Sequence, residues 1–89
     1  MIEQVYVDSV DGDYPFKVFR GRVVWRSMSV RFEGVVYQSV GGPNVRASVV
    51  EEDVENLKRG GVSEEEIAAL ELELQQKIIH GEVELDGNR

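Results

Sequence analysis

Histidine, carboxylates and arginines are the residues of this chain that could do chemistry. The 89 residues hold one histidine and no cysteine. Disulfides, thiolate metal sites and cysteine nucleophiles are thereby excluded. As a base His80 would need an orienting partner and a nucleophile, and as a metal ligand it would need companions. No motif around it supplies either. At a helix end its cationic form suits the dipole and the last carbonyls. Glu82, Glu84 and Asp86 followed by Gly87 copy the first half of a calcium loop. The bidentate glutamate at the twelfth position of such a loop would fall beyond Arg89. Asp8, Asp11 and Asp13 surround a turn, where aspartates belong for local hydrogen bonding; a hard cation is the other chemistry open to them. The six serines and the pair Glu71/Gln75 carry no catalytic spacing. There is no G-x-S-x-G, phosphate-binding loop or dinucleotide fingerprint. No catalytic, cofactor-binding or metal-ligating residue is assigned.

The arginines are more informative. Arg20, Arg22, Arg26, Arg31 and Arg46 are interleaved with Phe16, Trp25 and Tyr37. Arginine and aromatic side chains on a sheet face are the residue types of a protein-binding patch. They are also the types that stack single-stranded bases. Cross-strand pairing and solvation are the plainer use. Charge argues against nucleic acid. The chain carries −7 overall. Residues 1–50 have six basic and five acidic groups, and residues 51–89 have four basic and twelve acidic groups. An acidic second half does not attract a phosphate backbone. It could meet the basic sheet of another copy, or mimic phosphates through Glu51, Glu52, Asp53, Glu55, Glu64, Glu65 and Glu66.

Length implies one small domain, residues 1–89, with a modest core that dimerisation would support. No apolar stretch approaches membrane-spanning length. Glu3 and Asp8 stand where a basic, apolar leader would be, so a cytoplasmic protein is expected.

The elements that must position these residues end in a long helix. Ser63 followed by Glu66 reads as a capping box, with Val62 and Ile67 as a hydrophobic staple. Glu64, Glu65 and Glu66 suit the positive end of the dipole. Gly81 supplies a left-handed stop. Ile67, Leu70, Leu74 and Ile78 form one stripe. Ala68, Leu72 and Ile79 form a second, roughly 120° away, with Glu71 and Gln75 between them. One stripe suffices to cover a sheet, so the second implies a further contact. Before this helix, Glu51–Arg59 reads as a short helix with Val50, Val54 and Leu57 on one face, ended by Gly60-Gly61.

The first half reads as strands. Residues 2–10 alternate loosely through Ile2, Val5 and Val7. Asp11–Pro15 is turn chemistry. Phe16–Phe19 is a short strand, and Arg20-Gly21-Arg22 reads as a tight turn in which Gly21 takes positive φ. Residues 28–40 alternate except at Gly34, where a bulge would explain the slip. Gly41–Asn44 is a hairpin loop, and Val45, Ala47 and Val49 return antiparallel, making these two strands the sheet centre. The expected fold is α+β: four or five short antiparallel strands, then two helices on one face.

Val30-Arg31-Phe32, Val45-Arg46-Ala47-Ser48-Val49, the short acidic helix with Val54 and Leu57, Lys77-Ile78-Ile79-His80-Gly81 and Glu82–Gly87 together resemble the small bacterial YrdB-like family, a domain of unknown function. The likeness runs over roughly residues 30–87. The family usually continues past the last Asp-Gly turn into another strand. The resemblance implies a strand-rich half packed by two helices and no known activity.

The expectation that follows is a non-catalytic interaction module or homodimer, with itself or another protein as partner. Its contact residues would be Arg20, Arg22, Trp25, Arg26, Arg31 and Arg46 on the sheet and Ala68, Leu72 and Ile79 on the helix. The alternatives are an acidic decoy of a nucleic-acid-binding protein and a small metal-dependent enzyme.

Overall fold

A computed structural model describes residues 2–13 and 16–85. Strands β1 (Ile2–Asp13), β2 (Phe16–Trp25), β3 (Met28–Ser39) and β4 (Gly42–Val49) form an antiparallel meander. Helices α1 (Glu51–Arg59) and α2 (Glu64–Ile79) follow, and β5 (Glu84–Leu85) lies parallel to β1 beside Tyr6 and Val7. The sheet order is β4-β3-β2-β1-β5. The fold is the α+β arrangement that strands followed by helices imply.

Alternation decides the two sheet faces. Phe19, Val23 and Trp25 of β2, Val30 and Phe32 of β3, and Ala47 and Val49 of β4 are buried toward the helices. Ile67, Leu70 and Leu74 of α2 and Leu57 of α1 close over them. The loose alternation of β1 has a cause in register. Ile2, Val5 and Val7 all face the core although the first spacing is three. Register shifts between Ile2 and Gln4 and between Val7 and Ser9 bulge Glu3 and Asp8 out of the ladder. The bulge at Glu3 adds a residue and keeps Val5 inward.

Several local expectations change. Strand β1 runs on through Asp11–Asp13 rather than ending before them, and Tyr14 and Pro15 lie outside the described residues. Arg20-Gly21-Arg22 is not a turn but the middle of β2. Gly21 is buried there, and it is glycine because a Cβ would strike the Tyr6 carbonyl and the Phe32 ring. The true turn is Arg26-Ser27, with φ of 52° and 64°, joining Trp25 to its partner Met28. Two positive φ values in a two-residue loop match the twist of a hairpin, normally with Asn or Gly. Gly34 carries no bulge, since β2 and β3 pair without a shift from Phe16↔Tyr37 to Trp25↔Met28. It is glycine because the Phe19 ring lies over it. Strands β3 and β4 do pair, but β4 is an edge, and β2 is central.

Both helices keep the ends expected of them. Ser63 Oγ accepts from the Glu66 N–H at 3.1 Å, and Glu66 Oε1 accepts from the Ser63 N–H at 3.0 Å. Gly61 (φ 98°) and Gly81 (φ 74°) end the helices in left-handed geometry. In each case the next N–H reaches back, Val62 to the Leu57 carbonyl and Glu82 to the Lys77 carbonyl. These are two Schellman closures. The turn Asp86-Gly87-Asn88 lies outside the described residues.

Candidate functional site

The five arginines do not form one patch. Arg26, at the hairpin tip, donates to Glu66 Oε2 at 2.8 Å and stacks over the Trp25 ring at 4.3 Å. Arg31 reaches Asp53 Oδ1 at 2.7 Å and Glu52 Oε1 at 3.0 Å. Its backbone N–H also donates to Asp53 Oδ2 at 2.8 Å, while the Val50 N–H donates to the Arg31 carbonyl. The first turn of α1 thus continues the edge of β3 where β4 has ended. Arg20 faces Glu33 at 4.0 Å. Arg22 faces Asp8 at 3.9 Å and lies over the Tyr6 ring at 4.5 Å. Trp25 is buried in the core, 3% exposed, and so presents no indole on the sheet surface.

These pairings have electrostatic consequences. The Arg31 guanidinium, hydrogen-bonded to the Asp53 side chain, holds that carboxyl below the usual aspartate range. The acceptors Asp53 and Glu52 in turn raise Arg31. Glu66 is held low first by the Ser63 N–H it accepts and then by Arg26. The imbalance between the halves of the chain is therefore answered internally at two points, where Arg31 of β3 and Arg26 of the β2–β3 turn meet helix N-termini. Of the seven acids considered as phosphate mimics, Glu52, Asp53, Glu64 and Glu66 each carry a cationic partner.

The helix-free side of the sheet retains Arg46, whose side chain has no hydrogen-bond or ion-pair partner among the described residues. It pairs in register with Val35, and Val35 with Val18. Phe16 and Tyr37 continue this strip, ring centroids 6.4 Å apart. Beside it an open depression of about 480 Å³ reaches from Val18, Val35 and Arg46 round the β4 edge to Glu71 and Gln75.

Glu71 and Gln75 have a role that spacing did not reveal. The Val49 N–H donates to Glu71 Oε2 at 2.9 Å, and Gln75 Nε2 donates to the Ala47 carbonyl at 3.0 Å. Both backbone groups point outward from the β4 edge. Pro43, farther along that edge, has no N–H to offer. Charged side chains, proline and a covering helix are the devices that stop an edge from recruiting another strand.

The second stripe of α2 is uncovered. Ala68 is exposed, Leu72 is 60% exposed and Ile79 is 54% exposed. On the opposite side Ile67, Leu70 and Leu74 are buried. His80 is the C-cap of α2 and exposed. Among the described residues no group of three or more His, Asp or Glu side chains is placed to hold a metal, Asp8, Asp11 and Asp13 included. Of the calcium-loop residues, Asp86 and Gly87 lie outside the described residues. No helix among them is long and apolar enough to cross a membrane.

Comparisons with protein-family models, curated proteins and solved structures return no match.

Proposed function

We propose that this chain is a non-catalytic protein–protein interaction module whose partner is a second copy of itself. The observation that carries the reading is the apolar stripe Ala68-Leu72-Ile79 on a helix whose core-facing stripe is already complete. A large aliphatic side chain left in water loses about 1.5–3 kcal/mol of burial that an interface would recover. The arginines give less support to a charge-driven contact, because Arg26 and Arg31 are held by acids of the same chain. The decoy alternative is weakened by the same ion pairs, which break up its acidic face. A cytoplasmic location belongs to this reading and rests on a cysteine-free composition.

Molar mass in solution at low and high salt tests it. An apolar contact gives a dimer that persists or strengthens in high salt, whereas a charge-driven one dissociates. Leu72→Glu converts the dimer to monomer without loss of folded structure. A native chain that is monomeric at every accessible concentration overturns the proposal.

A further inference from the structure

Glu71, Gln75 and Pro43 close the β4 edge to strands in general, yet they leave one stretch of it open. The Val50 N–H donates to the Arg31 carbonyl, so positions 31 and 50 are a hydrogen-bonded pair of the β3–β4 ladder. Alternation along an antiparallel ladder then turns the backbone groups of Asn44, Arg46 and Ser48 toward β3 and those of Pro43, Val45, Ala47 and Val49 outward. Gln75 on the Ala47 carbonyl and Glu71 on the Val49 N–H fit this phase. Pro43 fits it too, since the N–H a proline lacks is tolerated where it would point to solvent. Between residues 43 and 47, the Pro43 carbonyl, both groups of Val45 and the Ala47 N–H point outward without a partner among the described residues.

These groups are self-complementary. A two-fold axis at Val45, perpendicular to the sheet, sets two β4 strands antiparallel with Val45 opposite Val45 and Ala47 opposite Pro43. The two Val45 residues exchange both of their bonds, and each Ala47 N–H meets a Pro43 carbonyl. The bond that such a ladder would still lack runs from position 43 to the Ala47 carbonyl. Its donor is absent in proline, and its acceptor is already satisfied by Gln75.

The side chains select the same register. It sets Arg46 opposite Asn44 on the helix-free face, in a pair with Cα atoms about 4.5 Å apart. Arg46 has no partner of its own among the described residues, and Asn44 spends Nδ2 on Ser39 Oγ and the Gly42 carbonyl while its Oδ1 accepts nothing. Guanidinium donor and amide acceptor match, and the axis makes the contact twice. A slip of one pair in one direction puts Arg46 against Arg46, which is unfavourable. A slip in the other puts Val45 against Pro43 and leaves the Val45 carbonyl without a donor. On the helix side, the step from Glu71 at Val49 to Gln75 at Ala47 carries the exposed Ile79 to the level of Val45, and so of the axis.

We infer that two copies join through their β4 edges, antiparallel about a two-fold axis at Val45, into one continuous sheet with both helix layers on the same face. This inference rests on the proposed self-association and supplies a contact that the α2 stripe does not. The paired stretch of five residues is about 17 Å long, so it forms a small interface and the dimer is concentration-dependent.

Hydrogen exchange of the native chain, read by residue across a dilution series whose molar mass is known, tests it. The Val45 and Ala47 amides should exchange at least tenfold more slowly where the dimer is populated and at the unprotected rate where the monomer is. Mixing Asn44→Cys with Arg46→Cys under mild oxidation should give the mixed disulfide dimer. Arg46→Cys alone should not cross-link, since its two Cα atoms lie about 8 Å apart and a disulfide needs about 7 Å or less. Both sites are exposed, and circular dichroism checks that the variants fold. A native dimer whose Val45 and Ala47 amides stay unprotected would overturn the edge contact and leave the α2 stripe as the interface. Cross-linking of Arg46→Cys with itself in preference to the mixture would overturn the register. A native monomer at every concentration would overturn the self-association reading itself.

Discussion

Gly21 occupies a point where three strands leave no room for a side chain. A methyl group there would meet the Tyr6 carbonyl of β1 and the Phe32 ring of β3, both buried parts of the sheet. Neither can yield without moving a strand. Gly21→Ala should therefore cost about 3 kcal/mol, the upper range for overpacking, read as a lowered urea midpoint with an unchanged slope. Ser27 presents the opposite case. Its φ of 64° is left-handed, and its N–H is held by Glu3 Oε2 at 3.1 Å. Glycine adopts that φ without strain, while L-residues lose roughly 1–2 kcal/mol in it. Part of the gain is lost to the freer unfolded chain. Ser27→Gly should raise stability by about 0.5–1 kcal/mol in the same titration. Arg26 has a similar φ, but replacing it would also remove its bond to Glu66 and its cover over Trp25.

At the scale of elements the helices are fastened to the sheet by side chains that replace missing backbone partners. Asp53 accepts from the Arg31 N–H beyond the end of β4, and its side chain is only 16% exposed. Its proton affinity is lowered in the folded state, as is that of Glu66. The sign follows. The unfolded chain takes up these protons first as pH falls. The stabilisation is complete above the ordinary carboxylate range, above about pH 5, and is lost as pH drops through about 4 and below. Asp53→Asn should lower the thermal midpoint at neutral pH and flatten its decline in acid, measured by melting between neutral pH and pH 3. An Asp53→Asn protein whose acid limb matches the native one would assign that limb to other carboxylates. The second fastening is at β4. Glu71→Ala leaves the Val49 N–H without its acceptor and opens the edge. A loss of about 1 kcal/mol is expected, with increased light scattering on heating.

Across the whole molecule the sheet has two zones. The helices cover Ile2–Val7, Phe19–Trp25 and the segments of β3 and β4 beside them, and the buried side chains all lie in this half or on the helices. The distal half has Val10 and Phe16 each 53% exposed, with Val36, Val45 and Tyr37 only partly buried. Local opening follows buried contact, so the two halves should differ in hydrogen exchange. Paired amides of the covered half, such as those of Val5, Val23 and Phe32, should exchange by global unfolding. Those of distal pairs such as Lys17 and Val36 should exchange faster. Uniform protection along β2 and β3 would contradict this division. The molecule thus has a helix-backed end that carries the exposed stripe of α2 and a less buried end that carries the Phe16-Val18-Val35-Tyr37 strip.

Local rules were enough for much of this architecture. The capping box of Ser63 and Glu66, the glycine stops, the span Glu51–Arg59 and the core stripe of α2 depend on neighbours in sequence, and they could be read there. The second stripe was legible as well, since periodicity alone separates it from the first. Tertiary structure decided what local rules cannot reach. Gly21 and Gly34 serve close approach between strands, which needs knowledge of what lies opposite. The bulges at Glu3 and Asp8 left a trace in the three-residue spacings of Ile2, Val5, Val7 and Val10, but only register places them. The dispersal of the arginine set, the burial of Trp25 and the use of Glu71 and Gln75 to close β4 all arise from contacts between different elements, from Arg20–Glu33 to Arg26–Glu66, which composition and spacing do not encode.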